Sequence, residues 1–134
     1  MDKGLRLGEL ARMAGCRIET IRYYEREGLI PATARSEGNY RLYCHEHVER
    51  LRFIRHCRSL DMTLDNVRLL LRFRDAPEEN CSPVDALLDE HIGHVVDRIA
   101  QLKVLEAQLR NLRGQCRSAQ TAKECRILQN LSPD

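Results

Sequence analysis

The feature that most constrains this chain is a single apolar seam running through its second half. Val84, Leu88, Ile92, Val95, Ile99, Leu102, Leu105, Leu109 and Leu112 follow one another at intervals of 4, 4, 3, 4, 3, 3, 4 and 3. That is close to the heptad period of a coiled coil, with one small irregularity. The run opens on start signals: Ser82 as N-cap, Pro83 at the first helical position, and Asp85 three residues after the cap. Gly114 offers the C-terminal cap. The predicted helix therefore covers residues 83–114, a rod of roughly 45–50 Å at the α-helical rise. The 75 residues ahead of the linker cannot cover so long and narrow a seam. A partner helix is required, and the simplest partner is a second copy of the chain. The spacing predicts a coiled-coil homodimer.

Upstream, residues 6–15 place Leu7, Leu10, Ala11 and Ala14 on one helical face before Gly15 stops the run. The pattern restarts with Ile18, Ile21 and Tyr24, so two short helices meet at a glycine-containing turn, a helix-turn-helix. Thr20, Arg22, Tyr23 and Arg26 fall away from the second stripe and are able to bond base edges or phosphates. "PATARSEGNYRLY" then reads as strand, glycine turn and strand, a small wing carrying Arg35, Asn39, Tyr40 and Arg41. Two more amphipathic helices follow. The first buries Val48, Leu51, Ile54 and Cys57 and turns Arg50, Arg52, Arg55 and Arg58 outward. The second is capped by Thr63 or Asp61 and buries Val67, Leu70 and Leu71.

The predicted fold class is thus mainly α. A winged helix-turn-helix domain (1–75), a linker (76–82) and a dimerisation helix (83–114) precede a C-terminal loop with a short helix (115–134).

Charge follows the same division. Residues 1–75 carry 15 basic and 11 acidic side chains, whereas residues 76–134 carry 7 and 9. The excess of positive charge in the first part points to an anionic partner there. No apolar leader and no run of 18 apolar residues occur, so a cytoplasmic protein without membrane spans is expected. In that reducing compartment six cysteines do not form a disulfide framework. CxxC pairs, glycine-rich phosphate loops and a carboxylate–histidine constellation are all missing, which argues against an enzyme.

Cys57 lies on an apolar face and Cys16 in the helix-turn-helix turn, both structural positions. "YCHEH", with His56 and Cys57 beyond it, lacks the paired spacing of a zinc finger. Cys81 precedes the long helix, and Cys116 and Cys125 follow it. If two such helices pair antiparallel, Cys81 of one chain comes beside Cys116 and Cys125 of the other, and a three-thiolate site forms at each end. If not, these are three unrelated cysteines. Three thiolates select soft or borderline metal ions, and Arg117, Lys123 and Arg126 place positive charge beside two of them. His91 and His94, at i and i+3, offer an auxiliary site.

The blocks "RLGELARMAGCRIETIRYYEREGLI", "RSEGNYRLY" and "HVERLRFIRHCRSLDMTLDNVRLLL" resemble the DNA-binding domain of the MerR family of transcription regulators. "ENCSPVDALLDEHI" and the terminal "CRILQNL" are similar to its cadmium- and lead-responsive, CadR- and PbrR-like branch. The resemblance implies an antiparallel coiled-coil homodimer on a palindromic operator in double-stranded promoter DNA. It implies a switch that represses when empty and, when loaded with metal, distorts the DNA so that RNA polymerase can engage. By matching positions, Thr20, Arg22, Tyr23 and Tyr24 would meet the major groove or its flanking phosphates. Asn39, Tyr40, Arg41 and Tyr43 would grip backbone from the wing, with Arg58 as a further phosphate contact. Cys81, Cys116 and Cys125 match the metal-ligand positions. A cysteine at 81, where copper(I) sensors of the family have serine, disfavours copper, and Arg117 stands where zinc sensors carry a second cysteine. Cd(II) or Pb(II) is the expected effector, with Hg(II) or Zn(II) as the alternative; a cytosolic metal-buffering protein is the rival of another class.

Overall fold

The computed structural model describes residues 4–31 and 42–132. Its elements are α1 (Leu7–Ala14), α2 (Ile18–Arg26), α3 (His45–Ser59), α4 (Leu64–Arg74), α5 (Ser82–Arg113), a 3₁₀ turn (Ala122–Glu124) and α6 (Arg126–Leu131). The chain divides into two compact units, Met1–Leu87 and Leu88–Asp134. No helix among the described residues is long and apolar enough to cross a membrane.

In the first unit α1 packs on α2 and α3, and α4 packs on α3. Leu10, Ile21, Val48, Leu51, Ile54 and Val67 meet in one core, joined by Ala11, Ala14, Tyr24, Leu29, Tyr43, Cys57 and Leu71. These are the positions that the 3.6-residue period singles out, so the apolar stripes of four short helices are spent on one another.

Helices α1, α2 and α3 stop in the same way. At α1, Gly15 turns to φ 68°; its N–H bonds Arg12 O at 3.3 Å and the Cys16 N–H bonds Ala11 O at 3.0 Å. At α2, Gly28 takes φ 76°, and Leu29 N–H reaches Tyr24 O at 2.9 Å. At α3, Asp61 does the same with φ 64°, and Met62 N–H reaches Cys57 O at 3.3 Å. Each is a Schellman motif, in which a left-handed residue returns two N–H groups to orphaned helix carbonyls. The hydrophobic pair that accompanies such a motif is buried in the last two cases: Tyr24 with Leu29, and Cys57 with Met62. Asp61 thus ends α3. Thr63 caps α4, its Oγ1 accepting the Asn66 N–H at 3.1 Å while Asn66 Oδ1 accepts the Thr63 N–H at 3.1 Å.

The wing reading falls largely on residues 32–41, outside the described residues. At its edge Leu5 and Tyr43 form an isolated antiparallel bridge, with N–O distances of 2.7 and 2.8 Å.

Helix α5 runs unbroken for 32 residues, about 48 Å at the α-helical rise. Its start differs from the sequence reading, and its close keeps Gly114 directly after Arg113 but without the left-handed turn. The first helical acceptor is Cys81, whose carbonyl takes N–H bonds from Val84 at 2.9 Å and Asp85 at 3.3 Å. Asn80 Oδ1 accepts from the Ser82 N–H at 2.8 Å and from its hydroxyl at 2.6 Å. Cys81 therefore holds the N-cap position and Ser82 is already helical, its own N–H taken by Asn80 Oδ1 and its hydroxyl turned back as a donor to the same oxygen. At the other end Gly114 is not among the glycines of positive φ. The helix instead tightens, with Gln115 N–H on Leu112 O at 3.2 Å and Cys116 N–H on Arg113 O at 3.4 Å.

Candidate functional site

The outward face of α2 presents Arg22 and Tyr23 to solvent, with Thr20 half-buried beside them. Tyr23 is 40% exposed, a large aromatic on a polar surface. Tyr24, expected at DNA, is buried instead, because it lies three residues after Ile21 on the core stripe. Its hydroxyl pairs with Arg58; burial pushes its pKa up, and the Arg58 charge opposes the rise. Tyr43, also expected at DNA, is 1% exposed. The Leu5 bridge holds its ring inward, edge-on to His47 at 5.3 Å, and its hydroxyl donates to Glu25 Oε1 at 2.8 Å. Both tyrosines support the face from beneath. Asn39, Tyr40 and Arg41 lie outside the described residues.

The four arginines of α3 that the sequence turns outward have specific jobs. Arg50 donates to Leu29 O at 2.6 Å, Arg52 to Met13 O at 3.0 Å, Arg55 to Ala14 O at 3.0 Å and Arg58 to Met62 O at 2.7 Å. Each guanidinium closes a carbonyl at or just past a helix end, where cations are favoured. Arg58, expected as a phosphate contact, is thus already engaged by Met62 and Tyr24, although it remains exposed. Sequence reasoning missed these ties, because three of the carbonyls belong to segments distant along the chain and the fourth, Met62, comes within reach of Arg58 only through the left-handed turn at Asp61.

The cysteines sort by environment. All six are free thiols. Burial raises the pKa of Cys57 and of Cys16, the latter opposed by Arg55, which suits packing thiols rather than thiolate ligands. Cys44 is exposed and its Sγ lies 3.3 Å from His47 Nδ1. Cys81 is exposed at the start of α5.

In the second unit Cys116 and Cys125 are half-buried. Cys116 Sγ contacts Ser118 O at 3.4 Å, and Arg113 fixes the Cys116 carbonyl at 2.9 Å. Cys125 joins the 3₁₀ turn to α6: its N–H reaches Ala122 O at 3.2 Å and its carbonyl accepts from Gln129 at 3.1 Å. Asn130 bonds Gln115 across the loop, and Gln129 Nε2 reaches Lys123 O at 3.3 Å. A polar recess of about 920 Å³ lies here between Cys116, Arg117, Ser118, Arg126 and Gln129. An adjoining apolar groove of about 810 Å³ is lined by Leu102, Leu105, Leu109 and Cys116. His91 is half-buried, and His94 is exposed with Glu90 3.9 Å away. Among the described residues of the single chain, no three His, Cys, Asp or Glu side chains gather around a common point. As donors the free thiols of Cys81, Cys116 and Cys125 suit a soft metal ion, but one chain does not assemble them.

Residues 5–73 match the MerR HTH family regulatory protein domain, and residues 48–112 match the MerR DNA-binding segment. The chain is similar in structure to the transcription regulator PbrR691 from Ralstonia metallidurans CH34 in complex with lead(II). The TM-score is 0.85 at 52% identity, over 96% of this chain and 99% of that one. It is 43% identical to the HTH-type transcriptional regulator ZntR homolog of Haemophilus influenzae, over 81% of each chain. It is 38% identical to the mercuric resistance operon regulatory protein of Bacillus cereus, over 94% of this chain and 96% of the relative. With its helix-turn-helix core, its long α5 and these matches along nearly its whole length, the chain belongs to the MerR family of DNA-binding transcription regulators.

Proposed function

We propose that this protein is a metal-responsive transcription regulator that works as an antiparallel homodimer. In this reading Cys116 and Cys125 bind Pb(II) or Cd(II) together with Cys81 of the partner subunit. The observation that carries it is the state of α5. Leu88, Ile92, Val95, Ile99, Leu102, Leu105 and Leu109 are 39–58% exposed along one continuous helix, and free thiols flank both ends of that helix. A strip of this length left in water calls for a partner, and antiparallel pairing of two copies is the arrangement that also unites the three thiols. The likeness to a lead-bound regulator supports lead.

The first unit then sits on a palindromic promoter operator. Arg22, Thr20 and Tyr23 meet the major groove and its phosphates, Tyr24, Tyr43 and Arg58 brace that surface at the phosphate edge, and Asn39, Tyr40 and Arg41 grip the backbone from the wing. The metal has to favour the activating conformation over the repressing one by differential affinity. That conformation distorts the promoter, brings it into register for RNA polymerase and turns on heavy-metal resistance genes. Mercury or zinc is the second reading, favoured by the relatives named for them. His91 and His94 offer at most an accessory site.

In vitro transcription from the operator, titrated with lead, cadmium, mercury and zinc, tests the reading. Lead or cadmium should activate at the lowest concentration, and Cys81→Ser, Cys116→Ser and Cys125→Ser should each abolish the response. A mixture of Cys81→Ser and Cys116→Ser subunits should recover one intact site per heterodimer; recovery of none would sink the cross-chain site. A metal response that survives all three single substitutions would sink the site altogether.

A further inference from the structure

Arg50 is the most enclosed of the paired arginines, with its side chain only 13% exposed. One guanidinium joins two places that the helix order keeps apart. Its Nε donates to the carbonyl of Leu29 at 2.6 Å, and its Nη1 donates to both Asp75 carboxylate oxygens, at 2.8 and 3.0 Å. Leu29 completes the motif that closes α2, and its side chain is buried in the core. Asp75 is the C-cap of α4, its N–H held by Leu71 O at 2.9 Å. Beyond Asp75 the chain passes through residues 76–81 into α5. A second tie runs between the same elements: Arg68 of α4 donates to the Glu27 carboxylate at 2.6 Å and to its carbonyl at 3.1 Å. The C-terminal end of α2 is therefore bound by charge-assisted bonds to the helix that feeds α5.

We propose that Arg50 is a positioning residue which couples the α4 exit at Asp75 to the end of α2, and so sets how strongly operator-bound protein responds to metal. The proposal rests on the metal-responsive reading for its second half only. A planar fork reaches a carbonyl and a carboxylate at once, whereas lysine offers a single point charge on a flexible stem. Displacing Asp75 therefore pulls on Leu29, whose N–H is held by Tyr24 O at 2.9 Å and whose side chain shares the core with Tyr24; the Tyr24 ring lies 5.9 Å from that of Tyr23 on the outward face. Allosteric couplings of this kind typically change affinities by about 5- to 150-fold.

The test uses the full-length protein, with Asp75→Asn, Arg50→Lys and the double variant, read in two ways. Without metal, hydrogen exchange at the Gly28 and Leu29 amides should quicken by roughly fivefold or more in Asp75→Asn, a substitution in a different helix. On promoter DNA, metal-free operator affinity and melting temperature should stay close to the parent. Activation by lead should fall by about tenfold, with the double variant no worse than either single one. Unchanged exchange at Gly28 and Leu29 would overturn the coupling, and so would unchanged activation in a parent that responds to lead. Operator affinity and melting temperature falling in step with activation would make Arg50 a merely structural residue and overturn the proposal as well. If the parent answers to no metal, the metal reading fails, and the exchange measurement still decides the coupling.

Discussion

Leu10, Ile21 and Ile54 are fully buried, while Ile92, Ile99 and Leu109, the same kinds of side chain at the same helical spacing, stand half-exposed. The first group sits on short helices that reach one another through Schellman turns, so one chain supplies both sides of every contact. The second group sits on a helix whose seam is too long for the chain to cover by itself. Hydrophobic burial stabilises whichever surfaces meet, at about 25 cal/mol per Å². The first unit gains that within the protomer, and in the proposed dimer α5 gains it on meeting its partner.

The comparison breaks most forcefully in the core. Ile54→Ala should cost the first unit about 2–5 kcal/mol, seen as a lowered urea midpoint of its helical signal. A loss below about 1 kcal/mol would mean that Ile54 is not the packing centre its burial indicates. On the seam the same chemistry should act on association. Ile99→Asp should move sedimentation from dimer to monomer while the first unit keeps its unfolding midpoint. A dimer that persists at micromolar concentration would remove α5 as the interface.

The smallest effect is a matter of pH. Burial holds His47 below its ordinary pKa of 6.5, opposed by nearby backbone of Pro31 and Cys44 and by the Glu25 and Glu46 carboxylates. Its Nδ1 accepts the Cys44 N–H at 3.0 Å, and its Nε2 is buried without a well-aligned partner among the described residues. The unfolded chain therefore takes up a proton before the folded one does. The stability this group contributes is whole above pH 6.5 and is lost as pH falls from there toward the folded value. Substituting His47→Gln should flatten the stability profile between about pH 7 and 5. An unaltered slope would assign the acid sensitivity to other groups.

Much of this was legible in the residues. The apolar periods of α1 to α4 predicted the core, Gly15 predicted the first helix stop, and the α5 spacings predicted an uninterrupted rod. The MerR blocks identify the family by themselves. The errors share a cause. Tyr43 is polar at one end and aromatic along its length, so its type does not say which end governs; the Leu5 bridge does. Tyr24 already lay on the apolar stripe with Ile21, and only the family resemblance set it at DNA. Arg50, Arg52 and Arg55 read as a charged surface because their carbonyl partners lie far along the chain. Asp61 turns left-handed without glycine's help, since the buried pair of Cys57 and Met62 compensates for it. The cap of α5 moved to Cys81 because Asn80, and not Ser82, supplies the side-chain acceptor.

What the sequence determined alone is therefore periodic or local: which faces are apolar, where glycines release a helix, and which residue types can hold a soft metal. Tertiary structure decided what depends on distance between remote segments. It turned Tyr43 inward, assigned Arg50, Arg52 and Arg55 to helix-end carbonyls, and separated packing thiols from accessible ones. Periodicity is written into neighbouring residues, whereas a hydrogen bond from Arg50 to Leu29 or Asp75 exists only once the helices have folded together.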